Sequence, residues 1–533
     1  MKKVLAVFLC SAMTLSLAAC SKSSNGASNA GTSNTAKSSA GNYSNHLKIS
    51  WATVQVQSGV DYNNGDDFTK QWCKKYNIEW DIIPVTFDNW ADKLRVWINS
   101  GDMPDMCTWN YIHGEAANYV DQGLVKELPS NWKTTYPNLA KAYEGSKIGP
   151  ELDKRFQGTY FLTRPVFFTN KPVSTLVSHM SVYMRKDWAT AVGFPLKDYY
   201  KASELMQFAK LVKQKDPGHV GAKLTGLNTL SVNMPWAFVF ANSTYSQLGG
   251  DYYKDSSGKY QWGPADQDTL TGLKLYQQAY REGLINPDFY TVKTGQDTDA
   301  FYTAGTSAMC IDAGLASVYD QYATNMKKNL NLDPNKALWR AFVIGEDGKY
   351  HCPEVINFWA AQIFSPKISD EKLSRILDMM DYSCTKEGTD TIRLGIKNKD
   401  WSLNSDGSFK CLDTTNTNVS TKYKSIIPIY MNMFVLSDDF GLVDPTISQA
   451  YRDNTKKLYQ EREKLGDANT IPSTDWTAYF QNSSERQKVA FDYGAEYAQL
   501  ILKSGDIEKN WNTWVKQKML LVQPVLDQLD KAK

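Results

Sequence analysis

The apolar positions of this chain change period several times, and each change marks an element. In HLKISWATVQV, residues 46–56, Leu47, Ile49 and Trp51 alternate with polar neighbours, the period of a half-buried strand. GDDFTKQWCKKYN reads as a helix. IEWDIIPV, residues 78–85, puts Ile78, Trp80 and Ile82 on one face and reads as a second strand. In FDNWADKLRVWINSG, Trp90, Leu94, Trp97 and Ile98 fall at i, i+4, i+7 and i+8, an amphipathic helix. Asp88 can cap its start and Gly101 its end. DMCTWNY is a short apolar strand and GEAANYVDQGL a helix. The order β-α-β-α-β-α predicts an α/β sheet with parallel strands.

Helical patterns dominate afterwards. VYMRKDWATAVGF leads into the amphipathic run KASELMQFAKLVKQKDP. DYYKDSSGKYQWG has a Ser-Gly turn between aromatic flanks, a hairpin signal. DTLTGLKLYQQAYREGLINPDFY is a helix stopped by Gly283 and Pro287. SAMCI and NFWAAQIFSPK are strands, and the chain from Asp370 onward is mostly helical, with NKDWSLN as a loop. In INSGDMPDM, Gly101 and Pro104 end a helix and turn the chain. Asp105 then opens a strand, and the two Asp are expected to serve as hydrogen-bond partners of the turn.

The first residues follow a different logic. Lys2 and Lys3 precede an apolar run, Val4 to Ala19, that is shorter than the ~20 residues of a spanning helix. It ends in Leu17-Ala18-Ala19-Cys20, which resembles the bacterial lipobox. Residues 1–19 are thus expected to be a lipoprotein signal peptide and Cys20 the lipid-bearing residue (palmitate and diacylglycerol). The chain would then sit on the outer face of a Gram-positive cell membrane. Residues 20–45, mostly Ser, Asn, Gly, Ala and Thr, read as a flexible tether.

Charge narrows the function. Without Lys2 and Lys3, 57 of the 59 basic residues remain against 57 acidic ones. That balance disfavours a nucleic-acid binder. The six Cys beyond Cys10 and Cys20 are scattered, with no C-x-x-C pair; buried free thiols are expected for Cys107 and Cys310. The five His have no metal-ligand spacing, and no G-x-S-x-G elbow or phosphate-binding loop is present. Nothing in the sequence calls for catalysis, a cofactor or a metal. Open α/β sheets bind ligands beyond the carboxyl ends of their strands. That rule selects Trp51, Trp109, Asn110, Tyr111 and Asp312. A Trp face suits the apolar side of a pyranose, while Asn and Asp can hydrogen-bond its hydroxyls. Core packing is the competing role for each Trp.

The ordered segments INSGDMPDM, YVDQGLVKELP, VYMRKDWATAVGFP, YREGLINPDFY and FYTAGTSAMCIDAG resemble the family 1 extracellular solute-binding proteins of ABC transporters. GTDTIRLGIKNKDW and GDIEKNWNTWVKQKM resemble the C-terminal half of the long Gram-positive lipoproteins. The resemblance implies the two-lobe α/β fold of type II periplasmic binding proteins, with a hinge and a ligand cleft between lobes. Residues 46–170 plus 307–365 would form lobe 1, and 171–306 plus 366–533 lobe 2. Trp236, Trp359 and Trp401 join the candidate ligand residues. The expected role is a monomeric, non-enzymatic capture protein. It would take an oligosaccharide, or another small solute, to the transmembrane subunits of an ABC permease. A peptide binder, a carbohydrate-active enzyme and a surface adhesin are the alternatives.

Overall fold

The computed structural model describes residues 43–86, 89–109, 115–146, 148–164, 181–228, 237–242, 251–291, 302–351, 358, 360–413, 419–426, 429, 441–465 and 475–532. Along the chain run the strands β1 (Leu47–Thr53), β2 (Ile78–Pro84), β3 (Met106–Trp109), β4 (Leu162–Thr163), β5 (Ser181–Arg185), β6 (Tyr199–Lys201) and β7 (Thr225–Asn228). They are followed by β8 (Tyr252–Lys254), β9 (Tyr260–Trp262), β10 (Ser307–Asp312), β11 (Leu338–Ile344), β12 (Ala361–Phe364), β13 (Trp401–Leu403) and β14 (Phe409–Cys411). Two five-stranded sheets result, ordered β2-β1-β3-β12-β4 and β6-β11-β5-β10-β7. β8-β9 and β13-β14 are separate hairpins.

The first sheet begins as its periodicity predicts. β1 lies parallel to both β2 and β3, with Trp51 opposite Ile82 on one side and Met106 on the other. The helix Asp67–Tyr76 starts where Asp66 accepts the Thr69 N–H at 2.9 Å and stops at Asn77, in the left-handed region at φ 48°. Its Phe68, Trp72 and Tyr76 recur every fourth residue and pack against Ile49, Trp51 and Trp80. The opposite face takes the helix Trp90–Ser100 through Trp90, Leu94 and Ile98, against Ala52, Cys107 and Trp109. Gly101 ends that helix at φ 73°. The proposed cap Asp88 lies outside the described residues; the observed cap position is Asn89, whose side chain makes no cap bond.

Asp105 is structural, as expected. It accepts from Ser50 N (2.8 Å), Ser50 Oγ (2.9 Å) and Lys372 Nζ (2.8 Å), tying the start of β3 to β1 and to the helix Asp370–Ser383. Pro104 and Met103 are buried beside it.

Four expectations need correction. Ser307–Asp312 and Leu338–Ile344 do not belong with the first sheet: β10 and β11 both pair antiparallel to β5 in the second. β12 does pair with β3 and β4, as its place in lobe 1 required, but the helix Asp370–Ser383, expected in lobe 2, buries Leu373, Ile376, Leu377 and Met380 on the first sheet's core. Every residue of these strands but Asp312 and Trp339 is buried, so apolarity alone could not name the partner. The tether ends earlier than residue 45. Tyr43 Oη donates to Asp378 Oδ2 at 2.9 Å, its ring lies under Arg375, and Asn45 donates to Glu371. Finally, Trp401 opens a hairpin strand rather than standing in a loop.

The β8-β9 hairpin forms as predicted, with Gly258 at φ 79° in its turn. Cys73, Cys107 and Cys310 are buried, and burial pushes the Cys107 thiol up. No helix among the described residues is long and apolar enough to cross a membrane.

Candidate functional site

β10 leads to a polar site at its carboxyl end. Ser307 to Ile311 are buried between neighbouring strands, and Asp312 emerges half-buried where β10 stops. Its carboxylate is already oriented. Oδ1 accepts the Ala313 N–H at 2.6 Å and Oδ2 accepts Tyr322 Oη at 2.9 Å. Burial raises its pKa, opposed by these two donors. The following turn is held from beneath. Tyr183 Oη donates to the Ala313 carbonyl at 2.7 Å. Arg340 Nη1 donates to the Gly314 and Leu315 carbonyls at 3.4 and 3.1 Å. The helix Ala316–Leu330 begins immediately afterwards. Each carboxylate oxygen of Asp312 keeps acceptor capacity beyond the one bond it accepts among the described residues.

The first sheet ends differently. Trp51 is 0% exposed and donates its indole N–H to Thr108 Oγ1 at 3.0 Å, while its ring packs on Trp80. Thr108 in turn donates to Gln362 at 3.1 Å, and Trp90 donates to the Thr108 carbonyl at 2.7 Å. Trp109 is 1% exposed, between Tyr119 and Phe161 with ring centroids at 5.8 and 5.1 Å. Trp401 is 4% exposed, with its N–H on the Gly395 carbonyl at 3.0 Å and its edge against Phe409. The expectation that these three rings offer a stacking face is therefore corrected: each is a core residue with its apolar surface already covered. Asn110, Tyr111, Trp236 and Trp359, like Cys20, lie outside the described residues.

Three residues around the Asp312 turn escaped the sequence reading: Tyr183, Tyr322 and Arg340. Arg340 had a signal, a lone cation in the apolar run LWRAFVI. A fourth feature, the helix Trp476–Tyr479, links the two cores. Ala478 packs with the second sheet's core, while Phe480, Trp476 and Tyr479 pack with the first sheet's. Asp475, at its start, accepts from Tyr260 Oη at 3.0 Å and pairs with Lys254 Nζ at 3.2 Å, both from the β8-β9 hairpin.

Residues 63–372 match the family model described as bacterial extracellular solute-binding protein. The chain belongs to that family. Its relatives include lipoprotein LipO of Bacillus subtilis (strain 168), 22% identical over 450 residues that span 80% of each chain. Among solved structures, the alginate-binding protein AlgQ2 superposes with a TM-score of 0.66 at 15% identity, over 91% of this chain and 97% of that one. The S. pneumoniae ABC-transporter substrate-binding protein FusA, solved with kestose, gives 0.63 at 15% identity over 91% and 100%. An HMO-binding solute-binding protein associated with an ABC transporter, from Bifidobacterium longum infantis ATCC 15697, gives 0.61 at 16% over 91% and 98%. The fold is that of the two-lobe solute-binding proteins.

Proposed function

We propose that this protein is the lipid-anchored capture component of an ABC importer for a carbohydrate, an oligosaccharide in particular. It would act as a monomer on the outer face of the cell membrane, held by Cys20 after removal of residues 1–19. Lobe closure would enclose the sugar and present it to the transmembrane subunits of the permease. The reading involves no catalysis. The observation that carries it is the Asp312 turn, a pre-oriented carboxylate at the carboxyl end of β10 with acceptor capacity left for sugar hydroxyls. The sugar-bound relatives support the substrate class. Asn110, Tyr111, Trp236 and Trp359 are the proposed companions of Asp312, the Trp pair supplying faces for the pyranose rings.

The test is thermal shift and calorimetry of the full chain against panels of glycans and of peptides, with analysis of the recovered ligand. A sugar present at 100 times its Kd should add about 2.7 kcal/mol of stability. Silence across the glycans with a response to peptides would refute the carbohydrate assignment, and recovery of cleaved glycan would refute the non-enzymatic one.

A further inference from the structure

β11 is an apolar strand with one cation in its middle. Arg340 is 3% exposed, between the buried Ala341 and the half-buried Trp339. Burying a guanidinium costs several kcal/mol unless its donors are satisfied, and the usual solution is a carboxylate. Here, among the described residues, no carboxylate lies within ion-pair distance of Arg340. Its contacts are neutral. Nη1 donates to the carbonyls of Gly314 and Leu315, and Nη2 to Asn454 Oδ1 at 2.9 Å and Thr455 Oγ1 at 2.7 Å. Its flat face lies 4.7 Å from the centre of the Tyr319 ring. Nε is buried with no acceptor among the described residues. An apolar side chain of similar length would fill this space at lower cost. The arrangement is therefore poor as a stabilising device, which directs attention to what it holds.

It holds the turn after Asp312. In a trans peptide the C=O and N–H of one unit point in opposite directions. Tyr183 draws the Ala313 carbonyl inward and Arg340 does the same to Gly314, while the Leu315 carbonyl is shared between Arg340 and the helical N–H of Tyr319 at 3.1 Å. The N–H groups of Gly314, Leu315 and Ala316 must then point the other way, away from Tyr183 and Arg340, at the positive end of the 15-residue helix Ala316–Leu330. Beside them stands the Asp312 carboxylate. The turn thus displays acceptors and donors together, the pairing that adjacent hydroxyls of a sugar require. Arg340 also fastens this turn to the helix Gln449–Lys464 through Asn454 and Thr455. The chain just before that helix packs on the turn as well: a Cβ on Gly441 would meet the Ala316 Cβ at 3.5 Å.

We propose that Arg340 is a positioning residue for ligand binding: its buried guanidinium holds the Gly314 carbonyl, and together with the helix the Leu315 carbonyl, on its own side of the turn, so that Asp312 and the opposed N–H groups face the solute. This rests on the reading of the Asp312 turn as the ligand contact. Arg340 itself touches no ligand.

The experiment uses the full chain with Cys20→Ser, so that no lipid is attached, and compares Arg340→Met, Arg340→Lys and Asp312→Asn. Amide hydrogen exchange is read over residues 312–318 and, as a control, over β3. Kd is measured by calorimetry for whichever of kestose, maltotriose and chitotriose most raises the unmodified chain's melting temperature. Arg340→Met should exchange at least about tenfold faster over 312–318 with β3 unchanged, and bind the sugar at least about tenfold more weakly, the loss expected for one charged hydrogen-bond pair. Arg340→Lys keeps the charge but not the fork, and should shift both readouts the same way by less. It also carries the test if the Met variant fails to fold. Unchanged exchange in both Arg340 variants overturns the proposal. So does faster exchange with unchanged Kd, since the order of the turn would then not serve the ligand. Weak binding in Asp312→Asn with full binding in Arg340→Met removes Arg340 and leaves the Asp312 reading standing. Full binding in both variants, or no response of the unmodified chain to any of the three sugars, counts against the Asp312 sugar reading itself, while the exchange data still decide whether Arg340 orders the turn.

Discussion

The two sheets finish at their carboxyl ends in opposite ways. In the first, β1 and β3 end near Trp51 and Trp109, large rings turned inward and closed over by Trp80, Tyr119 and Phe161. In the second, β10 ends in Asp312, a half-buried carboxylate that accepts from Tyr322 and from the Ala313 N–H. An aromatic ring at a strand end is ambiguous, because burial removes its apolar area from water whether the cover is a ligand or the protein's own core. A carboxylate is less ambiguous. It remains near solvent only where the fold supplies enough donors to orient it and too few to consume it.

The comparison can be broken in several places. The largest effect belongs to Trp109→Ala. Its ring fills the core between Tyr119 and Phe161, so unfolding by urea should show a loss of about 3–5 kcal/mol. Molecules that remain folded should bind solute with unchanged Kd; a large loss of affinity with little loss of stability would return Trp109 to the ligand site. Asp105→Ala comes next. It strands the Ser50 N–H and the Lys372 ammonium and should cost about 1–3 kcal/mol, again without altering affinity. Asp312→Asn should invert this pattern. Stability should change by less than about 1 kcal/mol, while calorimetry shows solute binding weakened about tenfold.

The smallest effect depends on pH. Asp320, on the helix that follows the Asp312 turn, is raised from 3.8 to about 6 by burial and then by the nearby charge of Asp444. The folded state therefore holds this proton more tightly than the unfolded chain does. Stability from this group is complete below about pH 4 and is lost as pH rises through 6. Asp320→Asn should then melt higher than the unmodified chain at pH 7, by on the order of 1 kcal/mol after allowance for its partial exposure, and equally at pH 3.5. A difference that persists at pH 3.5 would assign the effect to packing.

Much of the first sheet was legible because its signals are local. The alternation of Leu47, Ile49 and Trp51, the four-residue spacing of Phe68, Trp72 and Tyr76, and the stop at Gly101 each act within one element. The short segments around YMRKDW and SAMCIDAG carried the resemblance to the family, and both lie within the matched residues 63–372. The partners of β10 and β11 were not legible. A strand buried on both faces has no polar side to orient it, and its register depends on β5, more than a hundred residues earlier. The strand-end rule placed Asp312 at the carboxyl end of β10, where the structure has it, whereas Trp51 and Trp401 are covered by the core. Both rings find acceptors for their N–H groups, Thr108 and the Gly395 carbonyl, that no spacing in the sequence announces.

By itself, then, the amino-acid order determined the elements, the α/β class, the solute-binding family and the turn that carries Asp312. Those properties rest on periodicity, capping and backbone restriction, which act over a few residues. The tertiary structure alone decided which sheet claims β10 and β11, which tryptophans are covered, and that Arg340 reaches across to the carbonyls of Gly314 and Leu315. These depend on what lies opposite a side chain once distant segments meet, and burial and hydrogen bonding are properties of that meeting.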